Sequence, residues 1–263
     1  MSAPEHSPID VLDEMLVKAE PHFIQVINTL KPAIVEGVYG SVLGEDVSGR
    51  FPALVIGKVM RRYARENSMR VPGLYFFAGG SMGEIPHSIT DAIAQQGDDF
   101  TPEKSVAVQN MMDQLRNDNL SSYFERLKPY LGARSLVVTD QLTTGRTMYE
   151  TSIALHNAEV DFDICTLAVA AKLSEYGQMY LKCVPDFSSS IISGGSRDIK
   201  LMYSSPREHG SPVLRRIIGV EKDWIMPLSR VADEEGLDRA GAAEARRILS
   251  AYSDGLYEQT FSS

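Results

Sequence analysis

The chain has 263 residues, long for one compact domain and short for two. It is 43% hydrophobic and 23% charged, an ordinary globular composition that argues against disordered, collagen-like and coiled-coil chains. With 26 Lys and Arg against 35 Asp and Glu, the formal charge is −9. Such a surface repels phosphate backbones and anionic lipid unless a local basic patch overrides it, so no nucleic acid and no membrane is the expectation for partners.

Residues 8–30 read as helical, with Pro8 near the start and Val11, Leu12, Met15 and Leu16 as an apolar stripe. Pro21 is expected to restart the pattern, with Phe23, Ile24, Ile27 and Leu30 as a second stripe. Residues 33–46 are β-rich and broken by glycines, and a helix is predicted over 52–67. Gly73 to Ala78 reads as a buried strand, and 79–102 as a loop with a short helix at 88–95. Two helices are predicted near 103–116 and 119–130, then a strand at 135–139, a helix at 147–158 and a buried strand at 163–171. Residues 184–212 resist assignment apart from a strand at 199–203, and the end, 237–257, is helical. Strands alternating with helices argue for an α/β class with a mainly parallel sheet flanked by helices. The expected division is an N-terminal helical extension (1–30), an α/β core (31–183), and a loop region with C-terminal helices (184–263).

Cys165 and Cys183 form neither a CxxC nor a ligand cluster, and read as buried thiols in a reducing compartment. The N-terminus lacks a basic stretch followed by an apolar one, and the apolar runs fall well short of the ~20 residues of a membrane span, so a cytoplasmic location is expected. The histidines show no metal-binding spacing, so no protein-held transition metal is expected.

The most informative stretch is residues 135–150, SLVVTDQLTTGRTMYE. A strand ends in Asp140, a Thr- and Gly-rich loop follows, and a helix begins. Loop amides and a helix N-terminus make an anion site. Gly145 permits close approach of backbone to a phosphate, Thr144 and Thr147 add hydroxyls, and Arg146 adds a charged fork. Asp140 stands where open α/β sheets bind ligands.

Within it, Val137 to Met148, VVTDQLTTGRTM, resembles the phosphoribosyl-diphosphate (PRPP) motif of type I phosphoribosyltransferases. That motif is a hydrophobic strand, two acidic residues, two mostly apolar residues and a Thr-Gly-x-Thr loop. Counted back from Gly145, Asp140 falls on the second acid; Thr139 stands at the first, and Gln141 where an apolar residue is usual. The resemblance implies a phosphoribosyltransferase-like fold in which Thr143, Thr144, Gly145, Arg146 and Thr147 bind the 5-phosphate, with Thr139 and Asp140 at the ribose. It implies transfer of the phosphoribosyl group between PRPP and a nitrogenous base, with Mg2+ on the diphosphate, in nucleotide metabolism. Many relatives are dimers, so a homodimer is one expected state. Gly145→Val is expected to abolish phosphate binding with little loss of fold. Thr139 and Gln141 leave open a non-catalytic PRPP or nucleotide sensor on the same fold.

Residues 45–52, EDVSGRFP, resemble the family's pyrophosphate loop, which implies backbone donors at Ser48 and Gly49 and a role for Arg50 opposite the diphosphate. Lys172 lies where purine-specific relatives carry a base-contacting lysine, by an approximate offset. Gly79 to Gly83 spells G-x-S-x-G, so a serine hydrolase using Ser81 is the rival chemistry, disfavoured by Pro86 and by the missing upstream oxyanion segment.

Overall fold

The computed structural model describes residues 8–45, 49–78, 102–142, 145–169, 191–196, 220–221, 230–231 and 239–262. In chain order the elements are α1 (Pro8–Val35), β1 (Ser41–Glu45), α2 (Arg50–Glu66), β2 (Gly73–Phe77) and α3 (Pro102–Leu131). They continue with β3 (Ser135–Leu142), α4 (Arg146–Asn157), β4 (Phe162–Val169), β5 (Ile191–Ser196), β6 (Val220–Glu221), β7 (Arg230–Val231) and α5 (Arg239–Phe261). Strands β1 to β5 form one sheet in the order β2-β1-β3-β4-β5, every pairing parallel, while β6 and β7 make a separate antiparallel ribbon. The α/β class with a parallel sheet flanked by helices, expected from the alternation of patterns, is what the chain adopts.

Alternation along the strands sorts the core into two layers. Val42, Leu136, Val138, Cys165 and Leu167 face α1, α2 and α5, against Leu12, Phe23, Ile27, Leu30, Ile56, Leu249 and Leu256. Leu43, Phe77, Val137 and Ile164 face α3 and α4, against Leu120, Phe124, Met148 and Leu155. Phe77 meets Phe124 edge-on at 5.3 Å, which ties the edge strand β2 to α3. The terminal helices α1 and α5 thus complete one layer of the core.

Several boundaries differ from the sequence reading, each for a packing reason. Pro21 does not restart α1. Leu12, Leu16, Ala19, Phe23, Val26, Ile27, Leu30 and Ile34 form one buried stripe that runs unbroken past it. Burial of that stripe outweighs the ~3 kcal/mol an interior proline costs, and Pro21 itself lies on the exposed face. The two helices expected over 103–130 are one, because Leu120 and Phe124 anchor the turn after Asn117-Asp118-Asn119 and Gln114 bonds Asp118 at 2.9 Å. Strand β5 went unread because of its two glycines. Gly194 is required there, since a Cβ would sit 2.4 Å from the Leu167 carbonyl oxygen and 2.9 Å from the His22 Cβ. The His22 ring donates through Nδ1 to the Gly194 carbonyl at 2.9 Å. The expected segments at 79–101 and 199–203 lie outside the described residues.

Candidate functional site

Strand order 2-1-3-4-5 has one topological switch point, between β1 and β3. The chain leaving β1 enters α2 on one face, and the chain leaving β3 enters α4 on the other. The two strands also separate: β3 pairs with β1 only as far as Gly44↔Val138, but continues along β4 to Leu142↔Val169. A crevice therefore opens at their C-terminal ends, the place where open α/β sheets bind ligands.

Asp140 lies on β3 two residues past the last β1 partner, Val138. The strand does not end there, as the sequence suggests, but two residues on, at Leu142. Asp140 is 4% exposed, and its Oδ1 accepts the Gln141 N–H at 2.7 Å. Its main-chain oxygen accepts from the Thr166 hydroxyl at 3.3 Å. Thr139 is also buried, and its Oγ1 donates to Glu45 Oε2 at 3.1 Å, a bond from β3 to β1.

Helix α4 starts at Arg146 with Gly145 as N-cap, and the Gly145 carbonyl accepts the Tyr149 N–H at 2.9 Å. Gly145 is buried and left-handed, with φ +77°. The cap is Gly145, and no side-chain cap bond is made there among the described residues. Its first-turn amides accordingly carry the partial positive charge of an uncapped helix end. Thr147 is half-buried in that first turn.

The start of α2 is built the same way. Its N-cap is Gly49, again without a side-chain cap, and Gly49 N–H bonds the Glu45 carbonyl at 2.8 Å. The role of Gly49 is close approach: a Cβ would lie 2.3 Å from the Val138 carbonyl oxygen and 2.9 Å from Glu45 backbone. That contact sets the α2 N-terminus against the point where β1 and β3 part. The Arg50 guanidinium lies 4.2 Å over the Phe76 ring, a cation–π contact on the β2 side.

The structure thus brings Thr139, Asp140, Gly145, Arg146, Thr147, Gly49 and Arg50 to one end of the sheet. Ser48, Thr143, Thr144, Lys172 and the rival nucleophile Ser81 lie outside the described residues. Glu45 was passed over as a candidate. Its signal lies in the pairing of two apolar stretches, SVLGE and SLVVTD, that each begin with Ser and run to an acid, and that pair from Ser41↔Ser135.

Cys165 is fully buried, and burial pushes its thiol well above the usual range, so it stays protonated and unreactive. No described helix is long and apolar enough to cross a membrane. No protein-family model, curated protein or solved structure matches the chain.

Proposed function

We propose that this chain is phosphoribosyltransferase-like and binds PRPP or a ribose 5-phosphate ester in the crevice between β1 and β3. The observation that carries the reading is the junction from β3 to α4: a buried acid, a left-handed glycine and an uncapped helix start, all at the switch point. A doubly charged phosphate suits the first-turn amides of α4. Sugar hydroxyls, which donate, suit the carboxylate of Asp140.

In the catalytic version the phosphoribosyl group passes between PRPP and a nitrogenous base. The anomeric carbon goes through an oxocarbenium-like state, and no side chain need attack it. The work of the chain is electrostatic and positional. Thr143, Thr144, Gly145, Arg146 and Thr147 hold the 5-phosphate, and Asp140 orients the ribose. Ser48, Gly49 and Arg50 face the diphosphate, for which Arg50 has to leave the Phe76 ring. Among the described residues no group of three or more His, Cys, Asp or Glu could cage a metal. Mg2+ carried on the diphosphate would neutralise the departing charge, and Asp140 is the residue that would help to hold it. Lys172 would contact the base.

A second reading, a sensor that binds without turnover, has one observation in its favour: Thr139 stands where an acid is usual, and its hydroxyl is spent on Glu45.

Calorimetry with ribose 5-phosphate, PRPP and inorganic phosphate tests binding. Asp140→Asn should weaken ribose 5-phosphate binding about tenfold or more, from the ~1–3 kcal/mol of a lost charged acceptor, and leave inorganic phosphate unchanged. Equal affinities in parent and variant would overturn the assignment. Diphosphate release from PRPP with a panel of bases then separates enzyme from sensor.

A further inference from the structure

We infer that Thr151, in the second turn of α4, is a positioning residue of the anion site. With a phosphate ester at the helix start, its hydroxyl donates to Thr147 Oγ1 and leaves the Thr147 hydroxyl hydrogen for a phosphate oxygen. This rests on the phosphate-ester reading above.

Thr151 breaks a rule that the other buried hydroxyls on described helices keep. It is 1% exposed, and its Oγ1 is buried with no hydrogen-bond partner. A buried hydroxyl on a helix ordinarily donates to a carbonyl of the preceding turn. Ser152, its neighbour, bonds the Met148 carbonyl at 2.6 Å. In α5, Ser253 bonds the Leu249 carbonyl at 2.5 Å and Thr260 the Leu256 carbonyl at 2.7 Å. Thr151 makes no such bond, and a hydroxyl taken out of water without a partner costs stability. Packing does not call for it: α4 lays Met148, Ala154 and Leu155 into an apolar layer, where valine would have the same shape and no polar atom to desolvate.

Helix geometry says which way the hydroxyl looks. The Cα–Cβ bonds of a helix tilt toward its N-terminus, and residues four apart stand one above the other. The residue above Thr151 is Thr147, half-buried in the first turn, at a helix start with no side-chain cap. The Cβ atoms of such a pair lie about 5–6 Å apart, a gap that two hydroxyls can close, and a helical threonine has two χ1 positions from which to do it. An anion at the helix start takes the Thr147 hydrogen and leaves lone pairs on Thr147 Oγ1. The Thr151 hydroxyl, a donor without an acceptor, is the group that fits them. Bonds in a chain polarise one another, so the inner hydroxyl strengthens the hold of the outer one on the charge.

The test is calorimetry with ribose 5-phosphate and inorganic phosphate on the full chain, Thr151→Val, Thr151→Ser, Thr147→Val and the double variant Thr147→Val/Thr151→Val. Thermal midpoints without ligand accompany it. Thr151→Val, which exchanges an unbonded hydroxyl for a methyl, should melt no lower than the parent, yet bind both ligands about three- to tenfold more weakly, the scale of one hydrogen bond. Thr151→Ser keeps the hydroxyl and should bind like the parent. Once Thr147→Val is in place, Thr151→Val should cost no further affinity, because the two hydroxyls act through one chain. Unchanged affinity in Thr151→Val, a lowered midpoint for it, or additive losses in the double variant overturns the role of Thr151 and leaves the phosphate-ester reading standing. Failure of the parent to bind either ligand removes both.

Discussion

The two ends of the parallel sheet are built on opposite rules. At the N-terminal end polar groups are paired with one another. Tyr39 donates to Asp163 at 2.9 Å, Arg134 reaches the same oxygen at 3.4 Å, and Ser41 and Ser135 bond each other. The Gly40 N–H reaches the Arg134 carbonyl, and the Gly73 N–H reaches the Gly40 carbonyl. At the C-terminal end two buried acids, Glu45 and Asp140, sit beside helices that begin on Gly49 and Gly145 with no side-chain cap. The two ends thus differ in what they gather: side chains bonded across the strands at one, and carboxylates beside glycine-capped helix starts at the other.

The sharpest way to break that contrast is Gly145→Val. The left-handed φ of +77° means that any L side chain is strained there, by about 1–2 kcal/mol and more when β-branched. The variant should lose phosphate and ribose 5-phosphate binding together and also lose roughly 2 kcal/mol of stability in denaturant unfolding. The sequence alone suggests that the fold would hardly notice. An unchanged affinity would detach the loop from the site.

Much of this was legible in the sequence because periodicity and composition encode burial. The apolar runs of β2, β3 and β4 and the helix α4 read to within a few residues, and Gly145 and Asp140 stood out as candidates. What did not read was whatever depends on partners distant in sequence. Glu45 looks like the end of a strand until β3 is laid beside it and Thr139 is found opposite. Pro21 looks like a boundary until the sheet is placed under the α1 stripe. Gly49 looks like a flexible loop residue until the Val138 carbonyl lies where its Cβ would be. Strand β5 is too short and glycine-rich to show a period, and exists through its pairing with β4.

The opposite end should respond in the opposite way. Tyr39→Phe removes the hydroxyl that bonds Asp163, leaving that buried carboxylate the more distant, more exposed Arg134. Burial and the Asp163 bond both push the Tyr39 hydroxyl above its ordinary range, so it is a proton donor at every physiological pH. Stability should fall by about 1–2 kcal/mol in urea titrations, while ribose 5-phosphate affinity stays at the parental value. A drop in affinity as large as that of Asp140→Asn would show that the two ends are not separate.

The smallest effect concerns the clasp between α2 and α5, which lies toward the N-terminal end because α2 runs back along the sheet. Arg62 bonds Glu66 at 2.8 Å and Asp254 at 3.3 Å, pairs with Glu258, and stacks over the Tyr257 ring at 4.2 Å. Tyr257 in turn donates to Glu66 at 2.5 Å. The Tyr257 bond first, and Arg62 second, hold the Glu66 carboxyl below its ordinary value of 4.5; Ser262 first, and Arg62 next, do the same for Glu258. A carboxyl depressed in the folded state stabilises fully above its unfolded value, and that stabilisation drains away as pH falls through the folded one. Urea midpoints should therefore hold steady from neutral pH down to about 5 and decline below it, and Tyr257→Phe, which removes the leading cause of the Glu66 shift, should decline less steeply. These groups are exposed, so added salt should flatten the decline further. An acid slope that Tyr257→Phe leaves untouched would place the titrating carboxyls outside this clasp.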